Sequence, residues 1–134
     1  VIYLLDTNAC IQFLNDPNSP VSIRILRTPS SDIYICSIVR VELLYGAHRS
    51  SQIERNLRTL ERLFDEFTSL PFDDRCGSIA GRIRAQLAAL GTPIGAYDLQ
   101  IAAIALANNL ILVTHNTREF SRVEGLVIED WELD

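Results

Sequence analysis

Apolar residues follow two rhythms along this chain. Unbroken runs at residues 2–5 (IYLL), 33–36 (IYIC) and 110–113 (LILV) stop abruptly at polar or turn residues, as strands covered on both faces do. Between them the spacing becomes helical. Ile53, Leu57, Leu60, Phe64 and Phe67 recur every three or four positions, with Glu54, Arg55, Arg58 and Arg62 on the other side. Cys76, Ile79, Ala80, Ile83, Leu87 and Leu90 repeat that pattern up to a stop at Gly91.

Shorter signals fill the remainder. Ile11, Phe13 and Leu14 suggest a brief helix closed by NDPN, and Ser19-Pro20 reads as a cap with proline at the first helical position, ended by Pro29. SIVRVELLYGA is a helix after the second strand, LPFD a brief strand-like link, and GTPIGAYD a turn-rich loop entering a very apolar helix that reaches Asn109. NTREF is a short capped helix and GLVIEDW a last strand. Strands alternating with helices imply an α/β fold, with a parallel sheet flanked by helices on both faces. No repeat or linker interrupts residues 1–134, so one domain is expected.

Composition narrows the chemistry. Three isolated cysteines, Cys10, Cys36 and Cys76, sit among apolar residues without metal-ligand spacing and read as reduced core residues of a cytoplasmic protein. No apolar stretch is long enough to span a bilayer, and no secretory leader precedes Asp6, so no membrane partner is expected. The net charge is −5, which opposes broad phosphate binding. All twelve basic residues are Arg, leaving a local guanidinium face for phosphate open, with Arg40, Arg82, Arg84 and Arg118 as unranked candidates.

In a parallel α/β sheet the ligand crevice lies beyond the carboxyl ends of the strands. Asp6 ends the first strand, and Thr114 and Asn116 follow the LILV strand. Taken singly, Asp6 reads as a helix cap and Asp98 as a complement to a helix dipole. Glu42 resists so simple a reading. Its helix is apolar nearly all round, and it shares an azimuth with Ile38 and Tyr45, so it is expected to face inward; Asp98 likewise shares a face with Ile101, Ala102 and Ala105. Inward carboxylates need a partner, and several at one crevice call for a hard divalent cation such as Mg²⁺ or Mn²⁺. Such an ion suits phosphodiester hydrolysis. His48 reads as a surface residue, while His115 beside Asn116 is within reach of a substrate but is not expected to be catalytic. There is no nucleophile elbow, P-loop or dinucleotide fingerprint.

The stretches LLDTNACI, ICSIVRVELLYGA and the long block from GTPIGAYDLQ to VIEDW, with LPFDDRCGSIAGRIRAQL more loosely, resemble the PIN-domain ribonucleases, specifically VapC-type toxins of bacterial type II toxin–antitoxin systems. The resemblance implies sheet order 3-2-1-4-5 and an acidic pocket of Asp6, Glu42 and Asp98 binding Mg²⁺ or Mn²⁺, with Asn8, Thr114 and Asn116 supporting it. It also implies cleavage of single-stranded RNA, with PIGAYD and VTHNTREF most similar to the subgroup that cuts initiator tRNA in the anticodon loop. Homodimers neutralised by a VapB-like antitoxin, which itself binds operator DNA, are implied too. One departure stands out: many PIN domains carry a fourth acid where this chain has Asn116. Two other classes remain open, a non-catalytic PIN module binding RNA or protein, and a phosphotransfer enzyme using Asp6 as nucleophile.

Overall fold

The computed structural model describes residues 2–133. Strand β1 (Tyr3–Leu5) runs straight into helix α1 (Thr7–Asn15), followed by α2 (Pro20–Arg27), a single 3₁₀ turn at Ser30–Asp32, and β2 (Ile33–Cys36). Helices α3 (Ser37–His48) and α4 (Ile53–Glu66) precede β3 (Thr68–Leu70), then come α5 (Asp74–Ala89) and α6 (Ala96–Ala107). Strand β4 (Ile111–Val113), helix α7 (Thr117–Phe120) and β5 (Ile128–Glu129) complete the fold.

The five strands pair in the order β3-β2-β1-β4-β5, every pair parallel, as the resemblance implies. Successive strand residues point to opposite faces. Leu4 and Leu5 are both fully buried, and so are Ile35 and Cys36, so layers of side chains cover the sheet on both sides. The apolar helix α6 supplies a large share of that covering, with Ile101 through Ala105 all at or below 1% exposure.

The local signals that end these helices are physical ones. Ser19 accepts the Ser22 N–H at 3.1 Å, with Pro20 just inside. Gly91 (φ +70°) and Asn109 (φ 53°) take the left-handed conformation after α5 and α6, where Thr92 N–H reaches Leu87 C=O and Leu110 N–H reaches Ala105 C=O, both at 2.9 Å. The link LPFD is displaced from expectation: the strand lies just before it, because Pro71 has no N–H to give a ladder. GLVIEDW likewise pairs over only two residues.

The three cysteines are free and buried, and burial raises all three thiols, Cys36 to about 11. They are packing residues. No helix among the described residues is long and apolar enough to cross a membrane.

Leu4 lies on the central strand with no exposed area. Leu4→Ala is expected to lower unfolding free energy by about 2–5 kcal/mol, read from the urea midpoint at unchanged slope.

Candidate active site

Asp6 occupies the tip of the central strand and is 6% exposed. Its backbone N–H bonds to Val113 C=O at 3.1 Å, locking the ends of β1 and β4 side by side. Its Oδ1 accepts the Ala9 N–H at 2.8 Å, so it does cap α1. The buried Thr114 hydroxyl donates to the same carboxylate and accepts the Asn116 N–H at 3.0 Å. The cap on α1 and a buried acid at the strand tip are therefore one side chain.

Glu42 is half-buried on α3, and the Thr7 hydroxyl donates to its Oε1 at 2.7 Å. The expected inward face needs correction at one point. Tyr45 is 60% exposed and Val41 47% exposed, so the helix rolls that edge to solvent while Ile38 and Leu43 stay buried. Glu42 sits at the boundary, where a carboxylate can reach the crevice without full desolvation.

Asp98 stands in the first turn of α6 and is also half-buried. Its carboxyl is pushed up to about 6, first by burial, then by the charge of Glu119 and a hydrogen bond shared with it, and further by Glu42 and Asp6. Asp6 is raised as well; burial leads, Glu132 and Glu42 add to it, and the bonds from Thr114 and Ala9 oppose it. Mutual repulsion thus joins Asp6, Glu42, Asp98 and Glu119 in one electrostatic cluster.

Glu119 is the residue the sequence reading missed. It lies three positions after Asn116 on α7, and the Asn116 amide donates to its Oε2 at 3.2 Å. That N-x-x-E spacing looks like an ordinary capping pattern, which hides the role; the signal was its return to the same strand end as Asp6. A carboxylate thus stands one helical turn beyond Asn116, held by the Asn116 amide and close enough to act on Asp98. Asn8 is exposed and lines a cleft of about 490 Å³ with Ile11, Gln12, His115, Asn116 and Glu132, whereas its neighbour Thr7 makes the bond to Glu42.

Among the described residues no Arg or His forms an ion pair with any of the four acids. Arg40 stacks over Phe64 at 4.2 Å, while Arg82, Arg84 and Arg118 are exposed. A set of four carboxylates with no protein cation fits a hard divalent ion such as Mg²⁺ or Mn²⁺.

The PIN domain family model matches residues 3–126. The tRNA(fMet)-specific endonuclease VapC of Shigella flexneri is 42% identical over 130 residues, covering 96% of this chain and 97% of its own. DNA-bound VapBC from Salmonella typhimurium superposes with a TM-score of 0.91 at 40% identity, covering 98% of both chains. VapBC2 from Rickettsia felis, bound to a promoter fragment, gives a TM-score of 0.91 at 34% identity, covering 98% of this chain and 99% of that one. With the sheet order and the acidic strand tips already in place, this chain belongs to the PIN-domain family and, within it, to the VapC group.

Proposed function

We propose that this chain is the ribonuclease toxin of a VapBC-type toxin–antitoxin pair, cutting RNA by metal-dependent phosphodiester hydrolysis in the cytoplasm, with initiator tRNA as its substrate. The observation that carries this reading is that Asp6, Glu42 and Glu119 all act on Asp98 with no protein cation paired to any of them, adding to the burial that raises its carboxyl to about 6. Asp6, Glu42 and Asp98, joined by Glu119, would hold Mg²⁺ or Mn²⁺. When bound, such an ion stabilises charge developing on a phosphoryl group and makes water a better nucleophile.

The chain's own residues prepare that pocket. Thr114 turns Asp6, Thr7 turns Glu42 and Asn116 turns Glu119, which fixes carboxylates that would otherwise swing apart. Without a cation, burial and the neighbouring acids raise the Asp98 carboxyl to about 6. Arg82, Arg84 and Arg118 are exposed and so are among the guanidinium groups free to meet RNA phosphates. Glu119 also removes the main support for a non-catalytic module, since Asn116 no longer stands in place of the fourth acid.

The identity to the Shigella enzyme supports the tRNA substrate, and the likeness to DNA-bound VapBC complexes supports an antitoxin partner and a complex that binds promoter DNA. A groove of about 370 Å³, lined by Ile11, Leu14, Leu43 and Leu60 and reaching Glu42, suits an apolar antitoxin segment that ends over the acids.

Asp6→Asn, Asp98→Asn and Glu119→Gln are each expected to cut RNA cleavage by more than the roughly 10- to 100-fold that loss of an outer-shell partner causes, and Thr114→Val by an amount within that range. Sequencing of RNA ends after controlled expression checks both activity and substrate; full cleavage by purified Asp98→Asn protein would sink the reading.

The raised Asp98 carboxyl also sets a pH dependence. Between its unfolded value of 3.8 and about 6 the folded state binds the proton more tightly, so metal-free stability falls as pH rises through that window. Asp98→Asn should therefore stabilise the metal-free protein at pH 7.5 by about 0.5–1 kcal/mol, a size limited by solvent screening, with the difference from wild type vanishing near pH 4. Mn²⁺ should raise the wild-type melting temperature more than that of the variant. Thermal melts across pH, with and without Mn²⁺, measure both.

A further inference from the structure

A second group of metal-ligating side chains lies outside the four-carboxylate pocket. His115 follows β4, and Asp130 and Glu132 follow β5; the parallel register of Val113 with Glu129 brings these two chain segments together at one end of the sheet. His115 Nδ1 is 2.9 Å from Asp130 Oδ2 and 3.6 Å from Glu132 Oε2, and one donor atom from each residue falls within 4.8 Å of the others. A cation about 2.1 Å from each donor sets neighbouring donors about 3.0–3.5 Å apart, so the observed separations match a coordination shell with little adjustment.

We propose that His115, Asp130 and Glu132 form a binding site for a borderline-soft transition ion of the Zn²⁺ class. One imidazole and two carboxylates select such an ion over Mg²⁺, which the all-oxygen pocket favours. The site is braced. The Asp130 side chain is only 9% exposed, and its Oδ1 accepts the Glu132 N–H at 3.0 Å, leaving Oδ2 for the imidazole. Trp131 between the two acids is buried, meets Tyr3 edge-on at 4.9 Å and donates its indole N–H to Glu129 at 2.9 Å. The segment carrying both carboxylates is thereby anchored.

The site also has an open side and a charge imbalance. The His115 side chain is 59% exposed, and it and Glu132 line the 490 Å³ cleft with Asn8 and Asn116, which leaves room for water to complete the shell. Among the described residues no Arg pairs with either acid; the nearby Arg24 contacts Glu129 at 3.3 Å and stacks over Trp131. Asp6 adds negative charge from the neighbouring strand tip, and its field reaches His115. Two carboxylates, with Asp6 close by, thus face a single imidazole, which ligates a metal ion in its neutral form and gives up any Nδ1 proton on binding.

This proposal does not rest on nuclease activity, and Co²⁺ serves as the spectroscopic probe. The full chain carrying Asp98→Asn, which disables the acidic pocket, is titrated with Co²⁺ and its visible absorption followed. One ion per chain is expected, displaced by Zn²⁺. Adding His115→Ala should weaken Co²⁺ by more than the roughly 10- to 100-fold seen for outer-shell losses, and Glu132→Gln should weaken it in the same direction. Thermal melts check that each variant folds; should His115→Ala fail to melt cooperatively, Glu132→Gln decides alone. Absence of Co²⁺ absorption in the Asp98→Asn chain, or absorption unchanged by these substitutions, would overturn the site.

Discussion

Like charges crowded at the end of a parallel sheet are the constraint around which this fold is arranged. Nearby carboxylates disfavour one another's charge more strongly where water is excluded, and at Asp98 the neighbouring acids add to the effect of burial. The backbone opposes their mutual repulsion. Asp6 N–H to Val113 C=O and Thr114 N–H to Glu129 C=O tie three strand ends together, so Asp6 and the elements bearing its neighbours have no freedom to drift apart. Hydrophobic burial on both sheet faces supplies the stability against which the repulsion is held.

The orienting hydroxyls and amide make the crowding specific. Thr7, Thr114 and Asn116 each donate to a different acid. None carries charge, so none neutralises the pocket or competes with an incoming cation. The same economy appears at the His115 cluster, where Trp131 and backbone bonds brace the acids without a guanidinium among them. The two adjoining groups of side chains differ by donor chemistry, one all oxygen and one with nitrogen.

Much of this was legible in the sequence because its physics is local. Unbroken apolar runs ending at Asp6 and Thr114, and Gly91 closing an amphipathic helix, needed no long-range knowledge; the sheet order came from family resemblance. Glu42 and Asp98 were visible because a charge on a helix otherwise apolar needs a reason. Glu119 was not, since its spacing from Asn116 has an ordinary local explanation and only the return of α7 to the strand tips reveals another. Tyr45 and Val41 failed for the opposite reason: helical periodicity cannot say where an apolar helix leaves the core. That Thr7, the residue before Asn8, bonds Glu42 depends on the rotation of α1, finer than any pattern resolves.

The double duty of Asp6 bears on how inactive forms of such a toxin are chosen. Its carboxylate holds the first turn of α1, and removing an N-cap acceptor costs about 0.5–2 kcal/mol. If Asp6 holds a cation as proposed, an alanine there would fray α1 and disable the pocket together, and cell survival would report either event alike. Asparagine keeps an oxygen for the Ala9 N–H while discarding the charge, so it separates a protein that cannot hold its shape from one that cannot perform its chemistry. In a genetic screen, where rescue from growth arrest is the only signal, substitutions at this position divide into two populations that look identical on a plate and differ in the test tube.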